Sequence, residues 1–100
     1  LFWSENEVAT FDPKRRTISV LGRYSTAVDA ARWIPDAEWV LVATGGVARA
    51  VEIDDRGART AYDLFSYTEF RESAFDEDGN TLFFKGRIGN ETGEWKYQLR

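Results

Sequence analysis

The chain has 100 residues, with 13 basic and 17 acidic side chains and no His, Cys or Met. That length fits one small domain, and 43% hydrophobic with 15% aromatic content is too rich for a disordered chain. The missing His and Cys exclude zinc centres built on those ligands, a disulfide framework, a cysteine nucleophile and a serine–histidine pair, while a net charge of −4 argues against a nucleic-acid partner.

Glycines and two prolines punctuate the chain, and Pro13 and Pro35 each adjoin an Asp, as turns favour. Between these marks lie short runs of aromatic and β-branched residues. They predict strands near residues 1–4, 7–12, 16–22, 28–34, 39–44, 47–54, 58–64, 70–75, 81–86 and 94–99. Alternation is clearest in Thr17-Ile18-Ser19-Val20 and from Arg49 to Asp54. Trp39-Val40-Leu41-Val42 has no polar member and reads as a strand covered on both faces. Residues 25–34 have a helical alternative, with Ser25 or Thr26 as N-cap and three alanines behind it.

An internal repeat decides against that helix. Shifted by 42 residues, Asp12 meets Asp54, Val28 meets Phe70, Trp33 meets Phe75, Asp36 meets Asp78 and Leu41 meets Phe83. At a shift of 43, Thr17 meets Thr60, Leu21 meets Leu64 and Tyr24 meets Tyr67. The second copy of the rival segment contains Arg71-Glu72-Ser73 before an Asp-Gly turn, a poor helical run, so both copies read as strands. A period of about 40–45 residues with four short strands is the signature of a β-propeller blade.

Two segments sharpen this. Ala31 to Val42 contains Trp33-Ile34-Pro35-Asp36, and Ser73 to Phe84 contains Phe75 followed by Asp78-Gly79-Asn80-Thr81-Leu82-Phe83-Phe84. Both resemble the A–B hairpin of bacterial WD40-like, TolB-type propellers, an aromatic followed by Pro-Asp-Gly and then an apolar strand. The first copy keeps Pro-Asp and lacks the Gly, the second keeps Asp-Gly and lacks the Pro, and the Gly-His and Trp-Asp dipeptides of true WD40 repeats are absent. The resemblance implies an all-β fold of antiparallel four-stranded blades. One complete blade (28–64) would be flanked by two incomplete ones (1–22 and 70–99), a single arc of about two and a half blades.

Few residues point to chemistry. Asp76, Asp78 and Asn80 alternate like the start of a calcium loop, but Arg87 stands where its bidentate Glu belongs, so a turn is the competing reading and no metal is expected. Asp29 and Glu72 fall near the starts of the two A strands, where some propeller glycosidases carry channel carboxylates. The alternative pairs them with Arg32 and Arg71 as surface charges. Lys14-Arg15-Arg16 reads as a solvated hairpin tip. Gly86 and Gly89, with Asn90, read as a long B–C loop without a phosphate-binding helix. Phe65 and Tyr67 fall in a D–A connection and are the binding candidates among the aromatics. Leu1, Trp3, Trp95, Tyr97 and Leu99 lie in the terminal strands, where a blade expects a neighbour, and are the expected oligomer contacts.

The expected function is a non-catalytic scaffold or protein-interaction module with no cofactor. Its partners are other propeller blades, from further copies or from the rest of a parent chain. A glycan-active enzyme and a purely structural fragment are the competing readings. No run reaches the ~18 apolar residues of a membrane-spanning helix, and residues 1–15 lack the apolar core of a signal peptide, so no membrane partner is expected. The absence of Cys fits either redox compartment and leaves localisation open. Leu1 in place of Met, and Arg100 at the end, predict a processed or excised chain.

Overall fold

Wherever apolar and polar residues alternate between turn signals, the computed structural model has a strand. It describes residues 1–35, 38–53 and 60–99. The strands are β1 (Phe2–Trp3), β2 (Glu7–Asp12), β3 (Thr17–Arg23), β4 (Val28–Trp33), β5 (Trp39–Thr44), β6 (Val47–Glu52), β7 (Ala61–Ser66), β8 (Glu69–Phe75), β9 (Thr81–Ile88) and β10 (Glu91–Gln98). There is no helix among the described residues. Asp36 and Asp54, two of the repeat positions, lie outside them, as do 54 and 58–59 at the expected ends of two strands.

The strands form three antiparallel meanders, β1-β2-β3, β4-β5-β6-β7 and β8-β9-β10. The middle sheet lies between the other two. On one of its faces Val28, Ala31, Val40, Val42 and Val51 pack against Val8 and Leu21 of the first sheet. On the other, Ala30, Leu41, Ala43, Ala48 and Ala50 pack against Phe70, Leu82 and Phe84 of the last. This is why β5 has no polar face: successive side chains point to opposite sides of a strand, and here both sides are interior. Each fully buried Val or Leu contributes about 1.5–3 kcal/mol of transfer free energy.

The repeat reappears as hydrogen-bond register. Val28 faces Thr44, Ala31 faces Val42 and Trp33 faces Val40. In the last sheet Phe70 faces Gly86, Ser73 faces Phe84 and Phe75 faces Leu82, each residue 42 positions beyond its counterpart. Both first strands also carry a bulge at the equivalent place, Asp29 in β4 and Arg71-Glu72 in β8. The β4–β5 and β8–β9 hairpins close alike, with Ile34 N–H donating to Trp39 C=O and Asp76 N–H to Thr81 C=O. The connections leaving the first two sheets do so too: Tyr24 N–H donates to Asn6 C=O, and Tyr67 N–H to Gly46 C=O.

The copies diverge at the next hairpin. β5 and β6 turn at Gly45-Gly46, whose φ values of 62° and 82° suit a type I′ turn. The long loop expected around Gly86, Gly89 and Asn90 does not form. β9 and β10 continue through Gly86 opposite Gly93 to Ile88 opposite Glu91, and the turn is Gly89-Asn90 alone. A glycine at φ 60° in the first central position is what a type II′ turn requires. β7 also sits later than expected, at Ala61–Ser66, with a bulge opposite Ala48-Arg49.

Candidate functional site

One end of the stack gathers the connections between sheets and the turns Gly45-Gly46 and Gly89-Asn90. Thr44, buried at the end of β5, donates its hydroxyl to Ala27 C=O at 2.8 Å and lies 2.9 Å from the Thr26 hydroxyl. That bonding fixes the first connection against the Gly45 turn. Arg23, Tyr24, Ser25, Thr26, Thr44, Gly45 and Arg49 line a cleft of about 390 Å³ there. Its two arginines are held from outside, Arg23 Nε by Glu7 at 2.7 Å and Arg49 Nε by Asp63 at 2.8 Å. Each cation is therefore matched by a carboxylate, and the cleft offers hydroxyls and guanidinium N–H groups to polar groups rather than a bare positive field.

Tyr67 lies in the second connection but is interior. Its ring packs on Phe70 with centroids 5.2 Å apart, and its hydroxyl donates to Asp29 Oδ2 at 2.5 Å. Burial first, then the hydrogen bond and the charge of Asp29, push its ionisation well above the usual tyrosine range. Phe65 falls inside β7, stacks on Phe84 with centroids 5.1 Å apart and lies tilted against Tyr97 at 4.9 Å. Asp29 and Glu72 do not take the arginines nearest in sequence. Asp29 accepts from Tyr67, and Glu72 pairs with Lys85 at 3.4 Å across the outer face of the last sheet. Arg32 instead donates to Ser73 at 2.7 Å, bridging the middle and last sheets, and Arg71 pairs with Glu69 at 3.2 Å.

In the acidic loop, Asp76 Oδ1 accepts from the N–H groups of Asn80 at 2.8 Å and Thr81 at 3.1 Å. One carboxylate oxygen is thus committed to closing the turn. Among the described residues no three acidic side chains converge as a metal site would need. Asp12 does the same for the β2–β3 tip, accepting from Lys14 and Arg15 N–H and leaving their side chains in solvent.

The outer faces of the end sheets carry exposed apolar side chains, as do Trp33 and Tyr62 of the middle sheet. Phe11, Ile18 and Val20 share the outer face of the first sheet and are exposed. On the last sheet Phe83 is exposed, facing Ala74 on one side and Lys96 on the other. A shallow cavity of about 330 Å³ runs past Phe83, Ala74, Glu72, Lys85 and Glu94. Trp95, Tyr97 and Leu99 turn the other way and pack half-buried against the core between the middle and last sheets, with Trp95 Nε1 donating to Gly86 C=O at 3.2 Å. Leu1 packs against the first core and Trp3 is exposed. Sequence reasoning did not single out Phe11, Ile18 or Phe83 as surface; only the bulge between Val8 and Ala9 and the repeat register reveal which side of each strand faces outward.

Comparison with protein-family models, curated proteins and solved structures finds no match.

Proposed function

We propose that this chain is an arc of β-propeller blades that serves as a non-catalytic scaffold, offering its outer sheet faces to further blades from other copies or from the rest of a parent chain. The observation that carries this reading is the shared register of the middle and last sheets at 42 residues, bulge included, with each sheet stacked face to face on the next. A blade buries its aromatics only by stacking on neighbours, so an arc leaves apolar outer faces. Phe11, Ile18 and Phe83 match that expectation. The structural partners of Asp29 and Glu72 favour a non-catalytic role over glycan cleavage.

Light scattering together with binding of an apolar fluorescent dye tests the proposal. The chain should either assemble or, as a monomer of 11.4 kDa, bind the dye strongly at its uncovered faces. A folded monomer that binds no dye would overturn the scaffold reading.

A further inference from the structure

Phe83 is the repeat counterpart of Leu41. Leu41 is 0% exposed because the last sheet covers it, whereas Phe83 is 47% exposed. Phe11 opposite Ile18 in the first sheet corresponds to Val51 opposite Ala61 in the middle sheet, bulge for bulge, and Val51 is buried in the core shared with the first sheet. Phe11 thus occupies the position that a preceding sheet covers, and Phe83 the position that a following sheet covers. One contact satisfies both: the first sheet of one molecule laid on the last sheet of another, continuing the stacking already present twice within the chain.

We infer that the chain self-associates head to tail, with the Phe11, Ile18 and Val20 face of one copy seated on the Phe83 and Ala74 face of the next. This rests on the scaffold reading and names its partner as a second copy. The last sheet's face sets exposed Phe83 and Ala74 among charged side chains, with Lys96 directly opposite Phe83. Glu72 and Lys85 replace the buried Ala30 and Ala43 of the middle sheet, and Glu94 stands opposite Lys85 in β10. Charge sets the direction of docking. The tip Lys14-Arg15-Arg16 lies at the end of the stack opposite the connections, and so does the acidic turn Asp76-Glu77-Asp78. Gly79 of that turn lies against Pro35 of the preceding A–B turn, which fixes both turns at one end. A copy that keeps the orientation of the internal sheets brings its basic tip to the acidic end of its neighbour, while an inverted copy does not. The contact is heterologous and closes into a ring or runs on as a filament.

The test uses light scattering on the whole chain with Phe11→Asp and Phe83→Asp, both exposed positions whose folding is checked by circular dichroism. The wild type should associate at micromolar concentration, and each variant alone should remain a folded monomer. An equimolar mixture of the two should form a pair, because each supplies the face the other has lost. A wild-type monomer that binds apolar dye would overturn self-association and leave the scaffold reading standing. Either variant keeping the wild-type mass, or a mixture that stays monomeric, would overturn the head-to-tail contact.

Discussion

Tyr67 donates its hydroxyl hydrogen to Asp29 across 2.5 Å, tying the connection between the middle and last sheets to the bulge of β4. The bond spans 38 residues. It exists because the bulge breaks the side-chain alternation at Asp29. The same connection donates its backbone N–H at Tyr67 to Gly46, so one residue pins both the strand entering the middle sheet and the turn at the far end of β5.

The Tyr67 ring stays in place in Tyr67→Phe, and the loss is one charge-assisted hydrogen bond. Because Asp29 remains in contact with water, the cost should be about 1 kcal/mol, below the usual range for bonds to charged groups. The pH dependence follows from the raised ionisation of Tyr67. Above the unfolded tyrosine value of about 10 the unfolded chain releases this proton while the folded chain retains it. Stability therefore falls as pH rises beyond that point, and it is at its full value below it. Urea melts from pH 8 to 11 should show a steeper alkaline loss for the wild type than for Tyr67→Phe. Parallel curves would contradict the assignment.

Gly86 and Gly93 face each other in β9 and β10 but differ sharply in their surroundings. A Cβ on Gly86 would collide with the backbone carbonyl of Glu69 at the start of β8, while a Cβ on Gly93 meets nothing within 4 Å. Gly86→Ala should destabilise by about 1–3 kcal/mol, as overpacking against backbone does. Gly93→Ala should be neutral or slightly stabilising, since it only lowers the conformational entropy of the unfolded chain. Equal denaturation midpoints for the two variants would argue against this strand register.

Much of the fold was legible because period-2 alternation and turn residues are local signals. Thr17 to Val20 and Arg49 to Glu52 gave their strands directly, and the repeat between Val28 and Phe70 overruled the local helical preference of residues 25–34. The Gly86–Gly89 segment misled because glycine marks turns in general, and here Gly86 marks a close backbone approach inside a strand instead. The surfaces were harder to read. Which side of Trp95 and Tyr97 faces the core depends on the register of β10 against β9, and a one-residue slip would reverse it. Arg23 and Arg49 come together from different sheets and leave no pattern along the chain.

Asp76 closes its turn through one oxygen, Oδ1, which caps the N–H groups of Asn80 and Thr81. Asp76→Ala should cost about 1 kcal/mol. Asp76→Asn should cost less, because an amide oxygen still accepts from Asn80 and Thr81 N–H. Millimolar calcium should leave the melting temperature of the wild type unchanged. A rise of many degrees that a chelator abolishes would establish the loop as a binding site after all.

Leu41 and Phe83 test the repeat energetically, since they occupy equivalent positions under opposite coverage. Leu41→Ala empties a site that is 0% exposed and touches both the middle and last sheets, so it should cost about 2–5 kcal/mol. Against a total of about 5–15 kcal/mol for a domain of this size that loss is a large fraction, and the variant's denaturation midpoint should fall markedly. Phe83→Ala removes a larger side chain, but one that water already reaches, so at concentrations too low for association it should shift the denaturation midpoint little. At high concentration the order of effects changes. Phe83→Ala should then lower the apparent midpoint relative to the wild type, whose stability rises with protein concentration once copies stack. If the midpoints of both proteins were independent of concentration, Phe83 would be an ordinary exposed aromatic and the equivalence with Leu41 would end at the backbone.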